Sequence, residues 1–194
     1  MPRSSRAETA RHHDQIVDAA SRLFRERGVD GVGVPEVMAA AGLTHGGFYR
    51  HFPSKDALAA AAVHAAFAQR ADRLRELHEE HGGDPAATRA AFVEQYLSST
   101  HRDAPERGCP NAALAVEIAR SEPGSAVRAA YGPAVRDSVA RIAELAEQGA
   151  DQREREDAAL RDLAALVGAV VLARATAGDE ISDRVLAAVR EGLL

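Results

Sequence analysis

Three observations predict an all-α fold for this 194-residue chain. Hydrophobic residues make up 46% of it but aromatic ones only 4%, so the apolar content is mostly alanine, leucine and valine, a helix-former's composition. Apolar residues recur at three- and four-residue spacing. Glycine, proline, serine and threonine punctuate these segments at helix-end positions, and nothing between them reads as a strand.

Ser5 and Glu8 have capping-box spacing for a first helix whose Ile16, Ala20, Leu23 and Phe24 share one face, and Gly28 ends it as a left-handed cap. Gly31, Gly33 and Pro35 mark a turn into a short helix over 34–41, with Val37, Met38 and Ala41 facing the first. Gly42 makes the next turn. Thr44 is placed to cap a helix over 45–51, with Phe48 and Phe52 four apart and inward, so three short helices share one small core. Ser54 caps a long helix over 55–81, with Leu58, Ala62, Ala65, Ala66, Leu74 and Leu77 on its apolar face, and Gly82, Gly83 and Pro85 stop it. Further amphipathic segments are predicted over 85–100, 109–120, 124–149 with a break at Gly132-Pro133, 155–177 and 181–193. The run DQREREDA at 151–158 reads as a solvated corner.

The length suffices for a core of its own. No segment approaches the roughly 18 uncharged apolar residues of a membrane span. The start MPRSSRAETARHHDQ has no apolar signal core, so a cytoplasmic protein without membrane association is expected. The single cysteine, Cys109, excludes an intrachain disulfide. The net charge of −5 is unevenly placed: residues 1–56 hold eight basic and seven acidic residues plus four histidines, so the acidic excess lies beyond residue 56. An acidic remainder more than about 10 Å away is largely screened and does not oppose a local basic face.

The segment GLTHGGFYRHFPSKDAL, residues 42–58, concentrates DNA-facing chemistry: Thr44, His45, Tyr49, Arg50 and His51 as donors, and Lys55 opening the next helix. A helix in the major groove must bring its backbone near base edges, and Gly46 and Gly47 remove the side chains that would hold it away. His45 is the leading base reader, since imidazole can donate to guanine N7 or O6, and Arg50 can make a bidentate guanine contact. Lys55 adds a cation to free amides at a helix N-terminus. An alternative for Tyr49 is a core ring with only its hydroxyl at the surface, and His51 can equally cap or pack.

The longer string AAAGLTHGGFYRHFPSKDAL closely resembles the N-terminal signature of the tetracycline-repressor (TetR) family of bacterial regulators, and the similarity extends over residues 12–66. The resemblance implies an N-terminal three-helix helix-turn-helix DNA-binding domain at 1–54 and a C-terminal helical ligand-binding and dimerisation domain at 55–194. It further implies a homodimer on palindromic double-stranded DNA, most often as a repressor released by a small-molecule effector. Tyr49 and His51 then hold phosphates, as the matching family positions do, and Thr44 serves as cap and phosphate donor. One departure stands out: this chain has Gly33, Val34 and Pro35 where the second helix of the family commonly opens with threonine, which shifts specificity to the recognition helix.

Leu160, Leu163, Val167, Val170, Val171 and Arg174, followed by Ile181, Val185 and Val189, suit a four-helix dimer interface over about 157–193, and Ala164, Gly168 and Ala169 permit close approach. Effector-pocket walls are expected from Phe67, Phe92, Tyr96, Leu97, Leu114, Ile118 and Tyr131, with His101, Asn111 and Glu117 as polar contacts, a description that also fits any core. Arg107-Gly108-Cys109-Pro110 places a thiol at a helix start beside arginine, an arrangement that lowers thiol pKa and gives a second reading, redox or electrophile sensing at Cys109. His78 and His81 in HEEH have metal-ligand spacing without a third ligand and read as a solvated helix end. No cofactor and no catalytic motif of recognised form is found, so an enzyme is not expected.

Overall fold

In the computed structural model, which describes residues 6–146 and 151–194, every regular element among the described residues is helical. In order they are α1 (Arg6–Arg27), α2 (Val34–Ala40), a 3₁₀ turn (His45–Arg50), α3 (Lys55–Glu80), α4 (Pro85–Tyr96), α5 (Ser99–Asp103), a short 3₁₀ turn (Pro105–Arg107), α6 (Pro110–Arg120), α7 (Ala126–Ala143), α8 (Gln152–Ala175) and α9 (Glu180–Leu193). No described helix is long and apolar enough to cross a membrane. Ser5, the expected first cap, lies outside the described residues, as does Gly149.

Two hydrophobic clusters organise these elements. In the first, Ile16 and Phe24 of α1, Val37 and Met38 of α2, and Phe48 and Phe52 enclose Leu58 and Val63 of α3, and Leu114 and Ile118 of α6 join them. The second gathers Leu77, Phe92, Tyr96, Leu97, Cys109, Ile142, Leu163, Leu166, Val170 and Leu186 from α3, α4 and the helices that follow. Each large apolar side chain taken fully out of water contributes about 1.5–3 kcal/mol. α3 enters both clusters. Its 26 residues span roughly 39 Å at 1.5 Å per residue.

Cap chemistry sets most boundaries. Ser54 Oγ accepts from Ala57 N–H at 3.0 Å, as its position predicted. Asp84 Oδ1 accepts from Ala86 and Ala87 at the start of α4. Thr44 occupies the N-cap position with extended backbone but makes no side-chain cap bond, and the 45–51 segment is a 3₁₀ turn rather than an α-helix. Gly47 N–H reaches Thr44 O and His51 N–H reaches Phe48 O, both three residues back. Two glycines in six residues lower helix propensity enough for the tighter, shorter form.

The expected 85–100 helix is interrupted: α4 ends at Tyr96, and Ser98 caps α5 by accepting from His101 N–H at 3.1 Å. The expected break at Gly132-Pro133 does not occur, since Pro133 lies inside a continuous α7. A proline removes one ladder bond without ending a helix that is packed along its length, here mainly on α3. The 151–158 run is a helix start, where Asp151 and Glu154 form a reciprocal capping box. His78 and His81 are held by the fold: His78 Nδ1 lies 3.1 Å from Thr88 Oγ1 and His81 Nδ1 2.8 Å from Leu77 O.

Ser54→Ala is expected to lower stability by about 1 kcal/mol in urea unfolding. Thr44→Ala, which removes no cap bond, is expected to stay within about 0.5 kcal/mol of the parent.

Candidate functional site

The recognition segment is projected outward by two buried rings. Phe48 and Phe52 stack at 6.0 Å in the first cluster, which leaves Thr44, His45, Gly46, Tyr49 and Arg50 exposed and Gly47, His51 and Lys55 half-buried. Tyr49 is 74% exposed, so it is not a core residue. Gly42, at φ +71°, allows the sharp turn before them, and Leu43 N–H closes back on Met38 O at 2.9 Å. Gly46 and Gly47 differ from it: neither has positive φ. A Cβ at Gly46 would meet nothing, and one at Gly47 would meet only Met38 Cε at 3.7 Å. Nothing in the chain itself requires glycine at either position.

Two α1 histidines stand behind this face. His13 stacks on Phe52 at 4.8 Å, and His12 lies edge-on to His51 with ring centroids 6.3 Å apart. Partial burial, followed by the charges of His13, His12 and Arg50, pushes the His51 pKa down. Asp56, the acid in the first turn of α3, is turned to α7, where it accepts from Ala126 N–H at 2.7 Å and Val127 N–H at 3.3 Å. The α3 N-terminus therefore presents Lys55 with the neighbouring carboxylate engaged elsewhere.

A second site lies between α3, α4, α6, α7 and α8: a cavity of about 50 Å³ lined by apolar side chains of Phe67, Leu74, Phe92, Ile142 and Leu163 together with Arg70, Tyr96, Cys109, Asn111, Ser138 and Arg141. The Tyr96 hydroxyl is buried with no nitrogen or oxygen partner among the described residues, and burial, followed by the neighbouring Cys109 thiol, raises its pKa well above the ordinary tyrosine value. Tyr131 donates to Asn111 Oδ1 at 2.5 Å and sits edge-on to Phe67. Burial pushes the Tyr131 pKa up to about 12.

Between these sites runs a buried joint. Arg25 of α1 donates to Ser21 O, to Gln69 Oε1 of α3 at 2.8 Å and to Gly108 O at 3.1 Å. Cys109 N–H then donates to His101 Nε2 at 2.9 Å, so His101 carries its proton on Nδ1 and donates it to Tyr96 O at 2.6 Å. Arg174 of α8 closes the joint by donating to His101 O and Arg102 O. A Cβ on Gly108 would stand 2.8 Å from both Arg174 Nη2 and His101 Nε2, so this approach requires glycine. Desolvation lowers the Arg25 pKa to about 10, with the nearby Arg70 charge as the next cause.

The sequence profile described as "Bacterial regulatory proteins, tetR family" matches residues 16–62, which span this whole recognition segment. Residues 16–62 therefore belong to the tetR family of bacterial regulatory proteins. The HTH-type transcriptional repressor NemR of Escherichia coli (strain K12) is 25% identical over 136 residues, 70% of this chain and 67% of its own. An HTH-type transcriptional regulator of Mycobacterium tuberculosis is 45% identical over 51 residues, 26% of this chain and 25% of its own. Among solved structures, a TetR transcriptional regulator from Chloroflexus aurantiacus superposes with TM-score 0.76 at 26% identity, over 96% of this chain and 94% of its own. The reduced form of Escherichia coli NemR superposes with TM-score 0.74 at 24% identity, over 93% and 95% respectively.

Within this tetR-family frame the residues expected around an effector separate. Phe67, Phe92, Tyr96 and Asn111 line the cavity. Leu114 and Ile118 instead belong to the first cluster, packed against the helix-turn-helix. Glu117 accepts from Val29 N–H at 2.8 Å and Asp30 N–H at 2.6 Å, tying α6 to the turn after α1. His101 has both ring nitrogens engaged in the joint, Tyr131 sits behind Asn111, and Leu97 is buried in the second cluster. The cation expected beside Cys109 is also different: Arg107 has an 85% exposed side chain and pairs with Glu106, while the arginines whose charges sense Cys109 are Arg25 and Arg174. Arg25, Arg70, Ser138 and Arg141 escaped the sequence reading because arginine and serine on amphipathic helices read as solvent-facing.

Burial holds the His101 pKa at about 4, below its ordinary value of 6.5. The unfolded chain therefore binds the extra proton first, and stability contributed by neutral His101 is complete above about pH 6.5 and is lost as pH falls toward 4, by up to about 3 kcal/mol. In thermal melts from pH 7.5 to 4, His101→Asn is expected to start from a lower Tm and to show a flatter acid limb than the parent. Parallel limbs would contradict this assignment.

Proposed function

We propose that the protein is a ligand-responsive DNA-binding transcriptional regulator, a repressor released from operator DNA when a small-molecule effector occupies its C-terminal cavity. The observation that carries this reading is the exposed Thr44, His45, Tyr49 and Arg50 face, set on buried Phe48 and Phe52 beside two glycines that nothing in the chain requires. Residues 1–54 act as the DNA-binding domain and 55–194 as the ligand-binding and dimerisation domain. His45 and Arg50 read base edges across Gly46 and Gly47, and Thr44, Tyr49, His51 and Lys55 hold phosphates. The protein acts in the cytoplasm and carries out no catalysis.

Dimerisation through α8 and α9, residues about 157–193, fits the outer face of α8. Leu163, Leu166, Ala169, Val170 and Ala173 face the intrachain core, whereas Leu160, Val171 and Leu172, with Ile181 of α9, remain exposed. A Cβ at Gly168 of this helix would meet nothing within the chain. A second copy on this face gives a twofold dimer whose recognition segments reach successive major grooves, roughly 34–36 Å apart, on a palindromic site.

The response runs through α3. Phe67, Arg70, Ala71 and Leu74 line the cavity on the helix whose first residue is Lys55, so an occupant that widens the cavity displaces the phosphate-holding end. A second reading uses the same cavity: Cys109 lines it beside the buried Tyr96 hydroxyl, and modification of the thiol replaces ligand binding as the signal. After alkylation at Cys109, loss of operator binding supports this reading, and an unreactive thiol or retained binding excludes it.

A gel shift against the DNA upstream of the coding region tests the main reading. A folded dimer without specific binding at low salt would overturn it. His45→Ala is expected to relax sequence preference by about 1–3 kcal/mol at one position, and Lys55→Ala to weaken all sites alike and reduce the salt slope by about one.

A further inference from the structure

The C-terminal cavity carries a charge signature that its apolar walls conceal. Among the described residues two arginines line it, Arg70 from α3 and Arg141 from α7, and no aspartate or glutamate does. Among the described residues neither arginine forms an ion pair or hydrogen bond, although Arg73, one turn along α3 from Arg70, engages both Glu76 and Glu80. Arg70 is half-buried, and its charge is felt across the site: it is among the causes that lower the pKa values of Arg25 and His101. Arg141 is exposed, so the two cations mark the mouth of the cavity, in a chain of net charge −5 whose acidic excess lies beyond residue 56. An uncompensated cation beside a low-dielectric wall focuses field lines and draws an anion.

The Tyr96 hydroxyl is a second and independent observation. It belongs to a residue only 2% exposed, lines the same cavity and, among the described residues, has no nitrogen or oxygen partner, its one polar neighbour being the weakly bonding Cys109 thiol. A buried hydroxyl left unsatisfied costs free energy that a ligand oxygen recovers by accepting its proton. The volume sets the size: at about 10–15 Å³ per water-sized occupant, 50 Å³ admits about three to five heavy atoms beyond the mouth. Phe67, Phe92 and Leu163 supply carbon contacts to those atoms.

We propose that the effector is a short-chain organic carboxylate of about three to five carbons, its charged head held by Arg70 and Arg141, an oxygen accepting from Tyr96 and its carbon chain in the apolar cavity. This rests on the reading of the cavity as the effector site and names the ligand class for it.

Titration calorimetry on the full-length dimer, without DNA, separates the two claims. The probes are butyrate, its uncharged amide butyramide, and inorganic phosphate. Butyrate is expected to bind saturably and at least tenfold more tightly than butyramide or phosphate. Arg70→Gln is expected to weaken it at least tenfold, Arg70→Lys less, and Tyr96→Phe about threefold or more with the parent's helical content retained in circular dichroism. Equal binding of butyramide, tighter binding of phosphate, or butyrate affinity unchanged in both Arg70→Gln and Arg141→Gln would each overturn the proposal. A gel shift run in parallel distinguishes the failures: operator binding without butyrate binding sinks only the ligand class, and butyrate binding without any operator binding sinks the regulator reading.

Discussion

α3 cannot move as two independent halves, because its N-terminal Leu58, Ala59, Ala62, Val63 and Phe67 lie in the cluster that supports the recognition segment and its Leu77 lies in the cluster beneath α4 and α8. Native interiors are close-packed and transmit displacement rather than absorbing it. A helix of this length therefore behaves as a lever shared by two cores. Its first residue, Lys55, stands beside the recognition turn, and its Phe67 to Leu74 stretch forms one wall of the cavity.

A polar joint runs beside that lever. Arg25 ties α1 to α3 through Gln69 and to the strand-like link before α6 through Gly108 O, and Glu117 and Asp56 use carboxylates to cap backbone amides across the same seam. These are charge-assisted bonds, about twice as strong as neutral ones, and several are half-buried. They explain why the helix-turn-helix sits firmly on α3, α6 and α7 despite its small apolar core. They also place Gly108 and Cys109 where a change at the cavity reaches α1 directly.

Much of the local architecture was readable from residue chemistry. The Ser54 cap, the Gly28 and Gly42 terminators and the inward Phe48–Phe52 pair follow from rules that act within a few residues. The readings that failed share a cause, which is competition from outside the segment. Gly132-Pro133 reads as a break until α7 is laid along α3, and Thr44 reads as a cap until the glycines tighten its turn to 3₁₀. Leu114, Ile118 and Glu117 read as pocket residues on α6, but that helix presents them to the first cluster and to the turn after α1.

By itself, the sequence determined the all-helical class, the placement of the recognition segment and the residues that face outward from it, because each depends on periodicity, caps and glycine freedom within about one helical turn. Only the tertiary structure decided what surrounds the cavity. Arg70 lies on α3 and Ser138 and Arg141 on α7, helices far apart in the chain, and nothing in either helix alone marks these residues as neighbours at one cavity. Likewise, nothing in the string around Tyr96 marks its hydroxyl as buried without a nitrogen or oxygen partner among the described residues. A group's solvation is set by every element packed against it, and that information is distributed over the whole fold.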